Sequence, residues 1–135
     1  MQFTHVPPAR IADEWPAFAE ILAPAVEVHS GTDLEAVKTR LLSGYFHMVE
    51  HQDGLGVLVF RIFDDEGEVS CFASYLAGSI GPRIIRTMRA LMLEFETLCR
   101  GAGVKQIYIG GRDWSRVFPD YLPTEDVPNR LRKVL

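Results

Sequence analysis

A long apolar stripe at helical spacing lies between two strand-like runs, and this arrangement limits the folds that the chain can adopt. Residues 69–76 and 104–109 have the composition of strands, and the stripe between them ends at residues 101–103, Gly-Ala-Gly. Because one helix joins the two strands, we expect them to lie parallel, connected by a right-handed crossover. The apolar residues of the stripe are Ile84, Ile85, Met88, Leu91, Met92, Phe95 and Leu98.

The first quarter of the chain predicts a strand followed by a helix. Residues 3–6 form a short extended run that the prolines at positions 7–8 end. In the helix, Pro16 is tolerated if it lies in the first turn, and Pro24 is expected to kink or end it. The apolar positions of this pattern are Ile11, Trp15, Phe18 and Leu22.

A second helix and three strands occupy the middle of the chain. Residues 32–35, Thr-Asp-Leu-Glu, have the pattern of a reciprocal N-terminal cap, and Gly44 is placed to end the helix. Aromatic and β-branched runs follow at residues 45–51, 55–63 and 69–76, and an Asp-Gly turn signal separates the first two. These runs predict an antiparallel meander.

The last part of the chain predicts a short helix at residues 113–121 and a final strand at residues 130–135. Together the elements indicate an α/β fold, with a mixed, mostly antiparallel twisted sheet of about six to seven strands and about four helices. At 135 residues the length suits one domain, so we expect residues 1–135 to form a single domain.

Composition excludes several classes of protein. The formal net charge of -4 comes from interspersed charges, so nucleic acid is not the expected partner. No window approaches the roughly 20 apolar residues that span a bilayer, so a membrane is not expected either. Cys71 and Cys99 give no disulfide framework and are expected in the core, which fits a cytoplasmic location.

The order of elements resembles that of the GNAT acyltransferase superfamily, and this resemblance covers nearly the whole chain. Residues 99–104, Cys-Arg-Gly-Ala-Gly-Val, and residues 110–117, Gly-Gly-Arg-Asp-Trp-Ser-Arg-Val, are similar to small GNAT-like proteins of bacteriophages and prophages. The resemblance implies a single GNAT-like domain with acetyl-CoA or CoA as its cofactor.

In GNAT enzymes the loop between the fourth strand and the long helix holds the pyrophosphate of acyl-CoA on backbone N–H groups. By resemblance, the cofactor-binding residues here are Leu76, Gly78, Ser79, Ile80, Gly81 and Arg83. The loop lacks the basic or amide residue with which the family's fingerprint begins.

Arg83, Arg86 and Arg89 lie in the first half of the long helix, where they oppose the helix dipole and favour a bound anion. The alternative is that these arginines pair with carboxylates of neighbouring loops at residues 64–66, or coat a solvated face.

The family uses a glutamate on or near the fourth strand as base and a tyrosine after the fifth strand as acid. Here residues 69–76 carry no carboxylate, and Phe118 aligns with the tyrosine. Tyr121, Tyr75 and Glu50 remain as candidate catalytic residues. The alternatives are that the two tyrosines are packed rings and that Glu50 is a solvated edge charge.

Other polar residues predict no further site. His47 and His51 lie four apart in a strand, too far apart for chelation, so a metal site is not expected. Trp114 is interpreted as a core anchor or a partner contact. Arg112 and Arg116 are interpreted as a surface patch or as members of ion pairs on the short helix.

Two functions therefore stay open. The first is a GNAT-like phage or prophage protein that binds acetyl-CoA or CoA, has an incomplete catalytic apparatus and has a protein partner in phage assembly. The second is an active acyl-CoA-dependent N-acetyltransferase that acts on a small amine or a protein amino group. In either case the chain is expected to be a monomer or a homodimer, with residues 130–135 as a candidate edge for pairing.

Overall fold

The computed structural model describes residues 3–26, 33–52, 56–78, 84–110 and 114–135. Within these ranges the chain forms four helices and seven strands. In chain order they are β1 (Phe3–His5), α1 (Pro8–Asp13), α2 (Trp15–Val26), α3 (Leu34–Ser43), β2 (His47–His51), β3 (Val57–Asp65), β4 (Glu68–Ala77), α4 (Ile84–Gly101), β5 (Gln106–Ile109), β6 (Leu122–Pro123) and β7 (Leu131–Val134).

The seven strands form one mixed sheet in the order β1-β2-β3-β4-β5-β7-β6. β4 and β5 are parallel, with Ser70 opposite Gln106 and Ala73 opposite Ile109. β1 pairs antiparallel with β2, β2 with β3, β5 with β7, and β7 with β6. The predicted fold class and the parallel pair joined by the long helix are therefore confirmed.

The chain divides into two compact units, and the first consists of Met1–Arg61 and Tyr75–Ile80. The prediction of a single domain stays a prediction. In the first unit, apolar residues of the first three helices pack with those of β2 and β3 to form a buried core. Its members are Val6, Ile11, Trp15, Phe18, Leu22, Val26, Val37, Leu41, Phe46, Met48, Val57, Val59, Tyr75 and Ala77.

The helices of the first unit begin and end for local reasons. Pro16 is the second residue of α2, where its missing N–H costs nothing, but Pro24 lies inside the helix, which continues to Val26. α3 starts where the side chain of Asp33 accepts a hydrogen bond from the amide of Ala36 over 2.7 Å. It ends at Gly44, which has a φ of 85°.

The second unit consists of Ile62–Ser74 and Gly81–Leu135. Both cysteines are buried there, as expected of core residues, and no helix among the described residues is long and apolar enough to cross a membrane. Other buried apolar residues of this unit are Leu91, Met92, Phe95, Ile107, Ile109 and Leu131.

The predicted helix at residues 113–121 is wrong over its described part. Residues 114–121 form successive turns, in which the amide of Phe118 donates to the carbonyl of Trp114 over 2.8 Å. Pro119 has no N–H to continue a helical ladder, and the chain then enters β6, which pairs with β7. Asp113 lies outside the described residues.

Candidate functional site

The predicted cofactor loop begins where β4 ends. The ladder between β4 and β5 stops at Ala73, but β4 continues to Ala77. Leu76 and Gly78 are half-buried at this end of the strand. Ser79, Ile80, Gly81 and Arg83 lie outside the described residues.

The beginning of α4 has the electrostatic character that an anion requires. The first turn of this helix, from Ile84, contains no acidic residue, so no side chain of that turn neutralises the partial positive charge of the helix end. Arg86 is exposed on the same turn. A phosphate group therefore fits the chemistry of the described residues at this end of the helix.

Arg89, one turn further along α4, binds backbone carbonyls. Its Nε donates to the carbonyl of Val117 over 2.7 Å, and its Nη2 donates to that of Arg116 over 2.8 Å. The predicted pairing with carboxylates at residues 64–66 does not occur for this arginine. Asp65 instead accepts hydrogen bonds at its Oδ2 from the side-chain Nε2 of Gln106 over 3.0 Å and from the hydroxyl of Tyr108 over 2.6 Å.

Tyr75, a candidate catalytic residue, lies in the core of the first unit. Its side chain is buried, and its ring meets that of Phe46 edge to face at a centroid distance of 6.2 Å. Such packing fixes the ring in the manner of a core residue.

Glu50, the candidate base, is held by Arg10. Both terminal nitrogens of the guanidinium donate to the carboxylate, and the Nη2 to Oε2 distance is 3.2 Å. Hydrogen bonds to Glu50 and then to Glu14 raise the pKa of Arg10. The carboxylate of Glu50 is therefore engaged in a bidentate pair with a permanent cation.

Tyr121, the candidate acid, lies in a buried polar cluster of the second unit. Its hydroxyl donates to Oε2 of Glu96 over 2.8 Å, and Nζ of Lys133 donates to Oε1 of the same carboxylate over 2.8 Å. Burial first, and then the charge and hydrogen bond of Glu96, raise the pKa of Tyr121. The hydroxyl therefore remains a proton donor that is directed at Glu96.

Glu96 and Lys133 were not predicted as site residues, although the sequence carries a signal for each. Glu96 lies four residues after Met92 on the apolar face of α4, and only 2% of its surface is exposed. Lys133 lies two residues after buried Leu131, so its side chain points to the same side of β7. A charged residue on a buried face must have a partner, and here the two charges are partners.

The residues around Phe118 form an aromatic group. Phe118 is buried, and its ring lies 5.8 Å from each of the rings of Trp114 and Tyr121. The indole N–H of Trp114 donates to the carbonyl of Gly110 over 3.1 Å, which supports its interpretation as a core anchor. Arg116 is exposed and does not lie on a helix, and Arg112 lies outside the described residues.

The histidines of β2 contact aromatic rings. His51 packs edge to face on Phe3 at 5.3 Å, and His47 lies 5.6 Å from Phe60 and 6.4 Å from His5. Burial and then the charge of His5 lower the pKa of His47. Among the described residues, no three potential ligands of the His, Cys, Asp or Glu type form a group that could hold a metal ion.

The sequence of this chain matches no family model and no curated protein. Solved acetyltransferases share its fold. An aminoglycoside 6'-acetyltransferase type Ii has a TM-score of 0.68 at 14% identity, with coverage of 99% of this chain and 97% of that one. An acetyltransferase from Thermoplasma acidophilum, solved in complex with coenzyme A, has a TM-score of 0.63 at 11% identity over 100% of both chains.

An IAA acetyltransferase from Bacillus cereus gives a TM-score of 0.62 at 11% identity, with coverage of 98% of both chains. At such identities the likeness concerns the fold, because one fold carries many activities. The chain therefore has the fold of the GNAT acetyltransferases.

Proposed function

We propose that this chain binds acetyl-CoA or CoA at the loop between β4 and α4, and that Tyr121, Tyr75 and Glu50 do not supply acid–base catalysis of acetyl transfer. The observation that carries the second half of this proposal is the hydrogen bond from Tyr121 to Glu96, which engages the hydroxyl of the candidate acid inside the second unit.

Cofactor binding is supported by the fold and by the charge of α4. A similar chain was solved with coenzyme A, and a pyrophosphate in the corresponding loop would face the unpaired N–H groups of a helix end. The first turn of α4 has no acid that would repel it, and Arg86 is exposed nearby. Gly78, Ser79, Gly81 and Arg83 are proposed to hold the pyrophosphate, and Leu76 and Ile80 are proposed as further cofactor-binding residues.

Acetyl transfer to an amine needs a base for the ammonium proton and an acid for the thiolate. Each candidate is engaged in another contact: Tyr121 with Glu96, Glu50 with Arg10, and Tyr75 with Phe46. These contacts favour a binding module over a transferase. A phage or prophage origin, and a protein partner in phage assembly, stay part of this proposal on the sequence pattern alone.

Isothermal titration with acetyl-CoA and with CoA tests the binding site. We expect saturable binding that Arg83→Glu weakens at least about tenfold, because the substitution places a carboxylate beside a polyphosphate. Lys105→Glu makes the same charge reversal on an exposed residue just before β5, and it should leave the affinity unchanged. Equal losses in the two variants, or no binding by the parent protein, would reject the site.

An acetyl-transfer assay with a panel of amines tests the proposal that Tyr121, Tyr75 and Glu50 do not supply acid–base catalysis. We expect no turnover above the uncatalysed rate in the parent protein. Turnover that Tyr121→Phe or Glu50→Gln abolishes, with binding of acetyl-CoA retained, would identify an active N-acetyltransferase instead. The titration tests cofactor binding and the assay tests catalysis, so a negative result in one experiment does not decide the other.

A further inference from the structure

A pocket of about 170 Å³ lies against α4 in the second unit, apart from the proposed cofactor loop. The residues that α4 contributes to it run from Arg89 to Glu96, five to twelve residues beyond Ile84, which at 1.5 Å per residue is about 8–18 Å along the helix axis. The pocket therefore lies further along α4 than the proposed cofactor loop. Its residues come from α4, from the turns after β5 and from β7.

One side of the pocket is apolar. Met92, Leu93, Val117 and Phe118 line it, and Leu93 is 57% exposed at the surface of α4. A cavity of about 150 Å³ with apolar walls is large enough to take up benzene, so this pocket matches an apolar group of about six carbons.

The polar side of the pocket has more donors than acceptors to offer a ligand. Lys133 has three N–H groups, of which one is donated to Glu96, and the nearest oxygen of Asp120 is 3.7 Å away. Arg89 uses its Nε and Nη2 for the carbonyls of residues 116 and 117, and among the described residues its Nη1 has no acceptor. N–H groups of Lys133 and Arg89 thus remain available at the pocket.

The carboxylate of Glu96 does not make the pocket favourable for a cation. It is paired with Lys133, accepts from Tyr121, and has Nη2 of Arg100 at 3.9 Å from its Oε1. A second ammonium group would have to approach beside Lys133, which like-charge repulsion disfavours. Asp120 is 75% exposed, so solvent screens its charge.

We propose that this pocket binds a small amphipathic carboxylate, with its apolar group of about six carbons against Met92, Leu93 and Val117 and its carboxylate bound by Lys133 or Arg89. The ligand class follows from the size of the pocket and from its unused donors. The proposal does not rest on acetyl-CoA binding or on acetyl transfer.

Three ligands with the same chain and different head groups test the proposal: hexanoate, 1-hexanol and hexylamine. Titration followed by amide chemical shifts should show hexanoate binding to the parent protein at least about tenfold more tightly than either of the others, with shifts in residues 89–96 and 117–121. Equal affinity for hexanol would show that only the apolar walls of the pocket contribute to binding. Preference for hexylamine would show that Glu96 binds the head group of the ligand. Either result, or no binding by hexanoate, overturns the proposal.

Two substitutions on α4 locate the site. Leu93→Trp should fill the pocket and abolish binding of hexanoate. Leu98→Trp is the matched control, because Leu98 is 41% exposed on the same helix and does not line the pocket. Thermal unfolding of both variants shows whether they are folded. Equal binding of hexanoate by Leu93→Trp and the parent protein, or equal loss in both variants, would place the ligand elsewhere.

Discussion

The hydroxyl of Tyr121 donates to Oε2 of Glu96 over 2.8 Å, and the two residues are 3% and 2% exposed. They are 25 residues apart in the chain, so the bond joins α4 to the turns that follow β5. Lys133 holds the other carboxylate oxygen from β7. One buried carboxylate therefore links three elements of the second unit. Removing one of its partners should lower the free energy of unfolding, because it leaves a buried charge less well paired.

Tyr121→Phe is expected to lower the free energy of unfolding by about 1.5–3 kcal/mol, because it removes a hydrogen bond to a buried charged group. Urea unfolding measures this change. Tyr45→Phe is the matched control, since Tyr45 is 55% exposed, and it should change the free energy by less than about 0.5 kcal/mol. Equal effects of the two substitutions would show that the buried hydrogen bond adds no stability.

Stability should also fall at alkaline pH through Tyr121. Its pKa is raised by burial and by Glu96, so the folded state keeps the phenolic proton after the unfolded state begins to lose it near pH 10. The stabilisation is complete below about pH 10 and decreases above it, by about 1.4 kcal/mol per pH unit for one such group.

Urea unfolding of the parent protein and of Tyr121→Phe between about pH 8.5 and 11 tests this expectation. The variant should lose stability less steeply. Some slope should remain, because burial and a hydrogen bond to Asp65 also raise the pKa of Tyr108. Parallel curves would contradict a role for Tyr121 in the alkaline transition.

Elements that depend on local signals could be predicted from the sequence. The strand, long helix and strand around α4 follow from the apolar stripe and its glycine end. The end of α3 follows from Gly44, and its start lies within the predicted cap at residues 32–35, although the side chain that caps the helix is that of Asp33 and the predicted reciprocal pattern begins at Thr32. These features need no knowledge of distant residues.

Features that depend on distant residues were missed. The carbonyls of residues 116 and 117 accept from Arg89, 27 and 28 residues earlier, where the sequence pattern predicted a short helix. Glu96 lies on the apolar face of α4, but its partner Lys133 is 37 residues later in the chain and is brought beside it only by the sheet. Such pairs depend on the tertiary fold, which a local pattern does not contain.

Mild acid should weaken the first unit through His47. Burial and the charge of His5 lower the pKa of this histidine, so the unfolded chain takes up the proton first as the pH falls below about 6.5. Stability should be retained above that pH and lost below it. His47→Gln should show a smaller difference in melting temperature between about pH 7.5 and 5.5 than the parent protein does. A difference as large as in the parent protein would show that His47 is not the cause of the loss of stability in acid.

Arg89→Ala should loosen the turns after β5, because this guanidinium is the group that holds the carbonyls of residues 116 and 117 against α4. We expect amide hydrogen exchange in residues 117–121 to become about tenfold faster, which corresponds to about 1.4 kcal/mol of local stability. Arg86→Ala is the control one turn earlier, where the arginine is exposed and no change is expected. Arg89→Lys should resemble Arg89→Ala, because a single ammonium group lacks the planar fork that reaches two carbonyls. Unchanged exchange in Arg89→Ala would mean that the turns are fixed by the packing of Phe118 alone.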